Sequence, residues 1–131
     1  ENHQKMVDVR QAKVDGIDVP DAEVMGDQDA DFCFLSWGST WGAVDAATAR
    51  LQADGHKVAY VHLTHLNPFP SNLGEALGKF KKVLCPEMNA GQLDKLVRAK
   101  YLIDVQGAHK MNGVPYTTAE IQAAALEALR V

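Results

Sequence analysis

Four short apolar runs divide this chain, at 32–36 (FCFLS), 57–63 (KVAYVHL), 82–85 and 102–106. A helical pattern follows each one, at 43–53, 73–80, 91–101 and 117–129. Apolar runs of that length predict strands buried on both faces. Strands alternating with helices at short spacing predict parallel pairing, with right-handed crossovers that place helices on both faces of one sheet. The expected fold class is α/β with a mostly parallel sheet. The third strand is expected to stop before Pro86, which has no N–H to give to a ladder.

One domain is all that 131 residues require. With 47% hydrophobic and 23% charged residues, such a chain can bury a core without staples. Its formal net charge of −4 leaves no basic excess, which argues against a nucleic-acid partner. No apolar run approaches membrane-spanning length. The polar start, ENHQK, carries no signal-peptide pattern. A first residue of Glu1 rather than Met fits a processed chain or a piece of a longer one. Two cysteines are too few for a disulfide framework or a cluster held by four thiolates. Cys33 and Cys85 fall on expected strands, outside any C-x-x-C motif, and read as reduced, buried thiols of a cytoplasmic protein. Thiol redox chemistry is the alternative use for that pair.

Residues 1–17 form an expected helical lead-in, with Met6, Val9, Ala12, Val14 and Ile17 spaced among charged groups and a stop at Gly16. Residues 18–131 form the expected single α/β domain. Its first part, 18–31, is acidic and holds Pro20 and Gly26. An extended piece at 22–25 fits there as an edge strand. At the far end, Thr117 and Glu120 have the spacing of a capping box for the last helix.

Three distinctive loops follow strands, at 36–42 (SWGSTWG), 64–72 (THLNPFPSN) and 86–92 (PEMNAGQ). In a parallel sheet all three lie at the carboxyl edge, where open α/β sheets bind ligands or partners. In the first loop, a tight turn at Gly38 and a helix cap from Ser39 or Thr40 is favoured over an anion cradle. No G-x-G-x-x-G, P-loop lysine or G-x-S-x-G elbow is present. In the second, Pro68 and Pro70 stiffen a segment that presents Phe69, either to close the core or to meet a partner. Ser71 or Asn72 is expected to cap the next helix. In the third, Asn89 and Gln92 fit a helix start, which leaves Glu87 unexplained. Arg98, Lys100 and Tyr101 are placed on the exposed side of the helix that follows. His62 and His65 lack the further ligands a metal site needs. His3, His56 and His109 show no partner in the sequence.

The blocks SWGSTWG, HLNPFPSNLGE, VLCPEMNAGQL and VRAKYLIDVQG, in this order, resemble the C-terminal part of the alpha subunit of 2-oxoacid:ferredoxin oxidoreductases. The likeness is to the 2-oxoglutarate (KorA-like) branch and covers nearly the whole chain. It implies a fold like the transketolase C-terminal domain: a three-layer α/β/α sandwich around a five-stranded mixed sheet, whose first strand runs antiparallel, near 22–25. It also implies a share in oxidative decarboxylation of a 2-oxo acid to an acyl-coenzyme A. That reaction uses thiamine diphosphate with Mg2+ and iron–sulfur clusters, and passes electrons to ferredoxin. This sequence has no G-D-G signature for the diphosphate and too few cysteines for a cluster. The resemblance therefore assigns it no catalytic residue and no cofactor of its own. It is expected to dock against the thiamine-binding and other domains of the same enzyme. Trp37, Ser39, Asn67, Phe69, Glu87, Asn89 and Gln92 match the family blocks and are the candidate interface or ligand-edge residues. A free-standing module that binds coenzyme A or another small molecule is the alternative.

Overall fold

A computed structural model describes residues 2–130. Five strands form one sheet: β1 (Val24–Gly26), β2 (Phe32–Trp37), β3 (Val58–Leu63), β4 (Lys82–Glu87) and β5 (Val105–His109). Their order is β1-β3-β2-β4-β5. β1 pairs with β3 antiparallel, and the other three pairings are parallel. The helices are α1 (Asn2–Asp15), α2 (Trp41–Ala53), α3 (Leu73–Gly78), α4 (Leu93–Tyr101) and α5 (Thr118–Leu129), with a short 3-10 turn at Gly38–Thr40.

Alternation along the strands builds the two sides of the core. Phe32, Phe34, Val58, Tyr60 and Leu84 pack with Val44, Ala47 and Leu51 of α2 and with Ile121 and Ala125 of α5. Cys33, Leu35, Ala59, Val61, Val83 and Cys85 pack with Leu73 and Leu77 of α3 and with Leu93 and Val97 of α4. The result is the expected three-layer α/β/α sandwich with a mixed five-stranded sheet. Thr117 closes the expected capping box: Glu120 N donates to its Oγ1 at 3.1 Å, and its own N donates to Glu120 Oε2 at 2.9 Å.

Several local expectations are corrected. β4 does not stop before Pro86 but continues to Glu87. The β2–β4 ladder ends at Phe34↔Leu84, so beyond that pair β4 has β5 as its remaining partner and carries a proline as an edge strand does. β5 lies three residues later than the apolar pattern suggested. Leu102 takes the left-handed C-cap of α4 (φ 56°) and is 90% exposed, so the apolar pair Leu102–Ile103 ends a helix rather than starting a strand. α3 stops at Gly78, short of Phe80, and α4 starts at Leu93, two residues after Gly91. β1 covers Val24–Gly26, shifted from 22–25.

Candidate functional site at the carboxyl edge

The three loops do share the carboxyl edge of the parallel strands. β2 pairs with β3 along its whole length, to Trp37↔Leu63, but leaves β4 after Phe34↔Leu84. The chain passes from β3 on one side of β2 to β4 on the other, so this parting is the switch point of the sheet. A cavity of about 280 Å³ opens there. Trp37, Ser39, Glu87 and Asn89 line it together with Gly38, Thr40, Pro86 and Met88. The structure thus brings four of the seven candidates together. Asn67 and Phe69 line a separate groove of about 590 Å³, formed with Gln11 and Asp15 of α1 and with Leu96, Ala99 and Lys100 of α4. Gln92 lines neither of these two spaces.

Glu87 is the pivot of this edge. It is 1% exposed, and its carboxylate accepts N–H bonds from Gln92, Leu93 and Asp94 at 3.0–3.2 Å. These are orphan donors of the first turn of α4, and the helix dipole adds to their attraction for an anion. Burial alone would raise the Glu87 pKa, but the N–H groups of Leu93, Asp94 and Gln92 and the side chain of Asn89 outweigh it and hold the carboxyl below the usual glutamate range. The residue that helix-start patterning left unexplained is therefore the one that caps α4. Gln92 occupies the cap position but makes no side-chain cap bond. Asn89 instead accepts from Gly91 N at 2.7 Å, closing a turn two residues on.

Asp94 and His109 complete the cluster. Asp94 is 5% exposed; its Oδ1 accepts from Lys95 N at 2.8 Å. Its Oδ2 lies 3.0 Å from His109 Nε2, which donates to it. The β4–β5 register sets Glu87 beside His109. Gly107 and Gly91 leave the space: a Cβ on either would run into the His109 ring. The sequence shows no partner for His109, because its apolar pattern sets β5 three residues early and leaves His109 in a loop. Glu87, Asp94 and His109 have the types and proximity of a metal site. However, Glu87 and Asp94 already accept N–H bonds on both carboxylate oxygens, and Glu87 faces the positive end of α4. The arrangement suits an internal clamp better than a cation.

The other loops also bind themselves. Neither Ser39 nor Thr40 caps α2; Thr40 Oγ1 donates to Trp37 O at 2.9 Å, and Ser39 Oγ reaches Met88 Sδ at 4.0 Å. Asn72 does not cap α3 through its side chain. It holds the chain before β1 instead, accepting from Ala22 N at 2.7 Å and donating to Ala22 O at 2.9 Å. Phe69 is half-buried and packs on the core, 6.1 Å from the Tyr101 ring, with Lys100 Nζ 5.5 Å above its centroid. Tyr101 is half-buried as well, contrary to its expected place on the exposed side; it lies tight against Gly74. Ser36 is fully buried and pairs with His62 Nδ1 at 2.9 Å, while the His62 ring is half-buried. Burial holds the His62 pKa below its ordinary value. Cys33 and Cys85 are fully buried, and burial raises both thiols far above the reactive range. No described helix is long and apolar enough to cross a membrane.

Comparison with known proteins places this geometry. Residues 30–121 match the family described as pyruvate:ferredoxin oxidoreductase core domain II. The 2-oxoglutarate oxidoreductase subunit KorA of Mycobacterium tuberculosis is 50% identical over 121 residues, which is 92% of this chain and 18% of that protein. Among solved structures, a 2-oxoglutarate:ferredoxin oxidoreductase from Magnetococcus marinus, with 2-oxoglutarate, coenzyme A and succinyl-CoA bound, matches at TM-score 0.79 and 32% identity. That match covers 95% of this chain and 22% of the other. A split-gene transketolase shares the fold, at TM-score 0.62 and 21% identity over 88% of this chain and 44% of its own. This chain therefore spans about a fifth of the length of the Mycobacterium tuberculosis subunit and of the Magnetococcus marinus chain.

Proposed function

Since this chain belongs to the pyruvate:ferredoxin oxidoreductase core domain II family, we propose that it is a docking domain of the alpha subunit of a 2-oxoacid:ferredoxin oxidoreductase, with 2-oxoglutarate as the substrate. The observation that carries this reading is the 50% identity to a KorA subunit across 92% of the chain. The complete enzyme would convert a 2-oxo acid and coenzyme A to an acyl-coenzyme A and carbon dioxide, with electrons passed to ferredoxin. Its partners would be the thiamine-binding domain and the other subunits of the same enzyme, in the cytoplasm.

The chain's own residues fit a supporting role. Thiamine diphosphate and Mg2+ have no G-D-G signature here, and the carboxylates nearest to a cation site are engaged with N–H groups. An iron–sulfur cluster does not fit two thiols that are both sealed in the core. What the chain does supply is a rigid edge. Glu87 fixes the start of α4, His109 ties β5 to it, and Asn72 ties the chain before β1 to the start of α3. A partner domain pressed on that edge would meet a surface already set in shape.

The test compares the isolated chain with the complete enzyme. Oxidation of 2-oxoglutarate with coenzyme A is followed by reduction of ferredoxin or a viologen dye. Activity is expected only when the other domains are present, and with no turnover by the chain alone. Calorimetric titration of the isolated chain with coenzyme A supplies the second arm. Tight stoichiometric binding would overturn the docking reading in favour of a binding module that uses the cavity between Trp37 and Glu87.

A further inference from the structure

Most of α1 stands clear of the rest of the described structure, and within it only Val14 is half-buried. None of its 14 residues is buried, and Met6, Val7 and Val9 are 50%, 43% and 55% exposed. A helix of that length is marginal in water without a face to pack on. Its charges are divided between two sides. Gln4 bonds to Asp8 and Gln11 to Asp15, and Gln11 and Asp15 border the groove beside Phe69. On another face, Lys5, Arg10 and Lys13 surround Met6 and Val9 in a shallow depression of about 280 Å³ whose lining holds no carboxylate. Three cations around two exposed apolar side chains need an apolar surface rimmed by negative charge.

Three acids that follow α1 are paired within the chain: Asp27 accepts from Val58 N at 3.0 Å, Asp29 pairs with Lys57, and Asp31 pairs with Lys81. The family match begins at residue 30 and leaves α1 outside. The Magnetococcus match, by contrast, leaves no more than about seven residues of this chain uncovered, so part of α1 has a counterpart within a much longer polypeptide. Resting on the docking reading above, we infer that the face of Lys5, Met6, Val9, Arg10 and Lys13 seats on a carboxylate-rimmed apolar patch of another domain of the same oxidoreductase.

Hydrogen–deuterium exchange tests this on the 131-residue chain and on the assembled oxidoreductase. In the chain alone, the α1 amides should exchange at nearly the rate of an unstructured peptide, independent of protein concentration. In the assembled enzyme they should slow by roughly tenfold or more. Combined Lys5→Glu, Arg10→Glu and Lys13→Glu substitution should restore fast exchange in the assembled enzyme, whereas Lys→Arg changes at positions 5 and 13 should not. Fast exchange of α1 within an intact assembly would overturn this inference alone. Protection that appears in the isolated chain as its concentration rises would overturn it in favour of a second copy. Failure of the chain to occur in any larger enzyme would overturn the docking reading and this inference together.

Discussion

His109 Nε2 donates to Asp94 Oδ2 at 3.0 Å and so joins the end of β5 to the first turn of α4. The same turn is held from the other side by Glu87, the last residue of β4. Two neighbouring strands and one helix are thus clamped by three side chains, and this clamp forms one wall of the edge on which the proposed function rests.

Glu87→Gln keeps the shape of the clamp but removes its charge and turns an N–H donor toward amides that need acceptors. It should destabilise the chain by about 1–3 kcal/mol, read as a lowered urea midpoint with an unchanged slope. Asn89→Ala, which removes the turn bond to Gly91 and a side-chain contact to Glu87 but leaves the three N–H bonds to that carboxylate, should cost about 1 kcal/mol. A larger loss for Asn89→Ala than for Glu87→Gln would count against Glu87 as the cap of α4.

Acid should act through the same carboxylate. The folded-state pKa of Glu87 is depressed from the ordinary 4.5, so its contribution is fully present above that value and fades as pH falls below it toward the folded pKa. Stability measured across this range should decline less steeply in Glu87→Gln than in the parent. Equal slopes would show that the carboxylate is not depressed.

His62 works at higher pH with the opposite chemistry. Burial lowers its pKa below 6.5, so the unfolded chain takes up a proton first, and stability should fall as pH drops below 6.5 toward the folded value. The imidazole resonances of His62 followed by NMR should titrate below those of a free histidine. His62→Gln should flatten the stability profile in that window.

Gly107→Ala should break the His109–Asp94 pair, because its Cβ would occupy the place of both His109 Nε2 and Asp94 Oδ2. A loss of about 1–3 kcal/mol is expected, with the His109 side chain displaced in a structure of the variant. Gly78→Ala is the control, since nothing lies near its Cβ.

Thiol titration separates a structural from a redox use of the cysteines. Cys33 and Cys85 should stay unmodified by a thiol reagent in the native chain and both react once it is unfolded. Rapid modification of either in the native state would revive a redox role.

The layers of the fold were legible because they depend on patterns of burial. The runs around Phe34, Val61 and Val83 must be covered on both faces, and only a sandwich covers them. The loops at the carboxyl edge were legible for the same reason, since strand direction places them together. The clamp was not. Glu87 bonds to amides five to seven positions away, a span outside the three-residue spacing of the capping box that Thr117 and Glu120 display. His109 was hidden behind Leu102, where an apolar pair looks alike whether it ends a helix or opens a strand. Asn72 has the sequence position of a local cap but bonds to Ala22, 50 positions away, and that choice is made by the fold as a whole.

The shape of β1 has one more effect. It is three residues long, runs against its neighbour, and is preceded by Pro20, Asp21 and Glu23. A flat, apolar border would invite strands from other molecules to add on, and the sheet could grow without limit. Here the border is brief, flanked by charge and reversed in direction. Gly26 leaves it at a φ of 85°, pressed so closely to the Val58 carbonyl that a side chain would not fit. On that flank the sheet is closed to strands from other molecules, so growth at its β1 border is blocked by the fold itself.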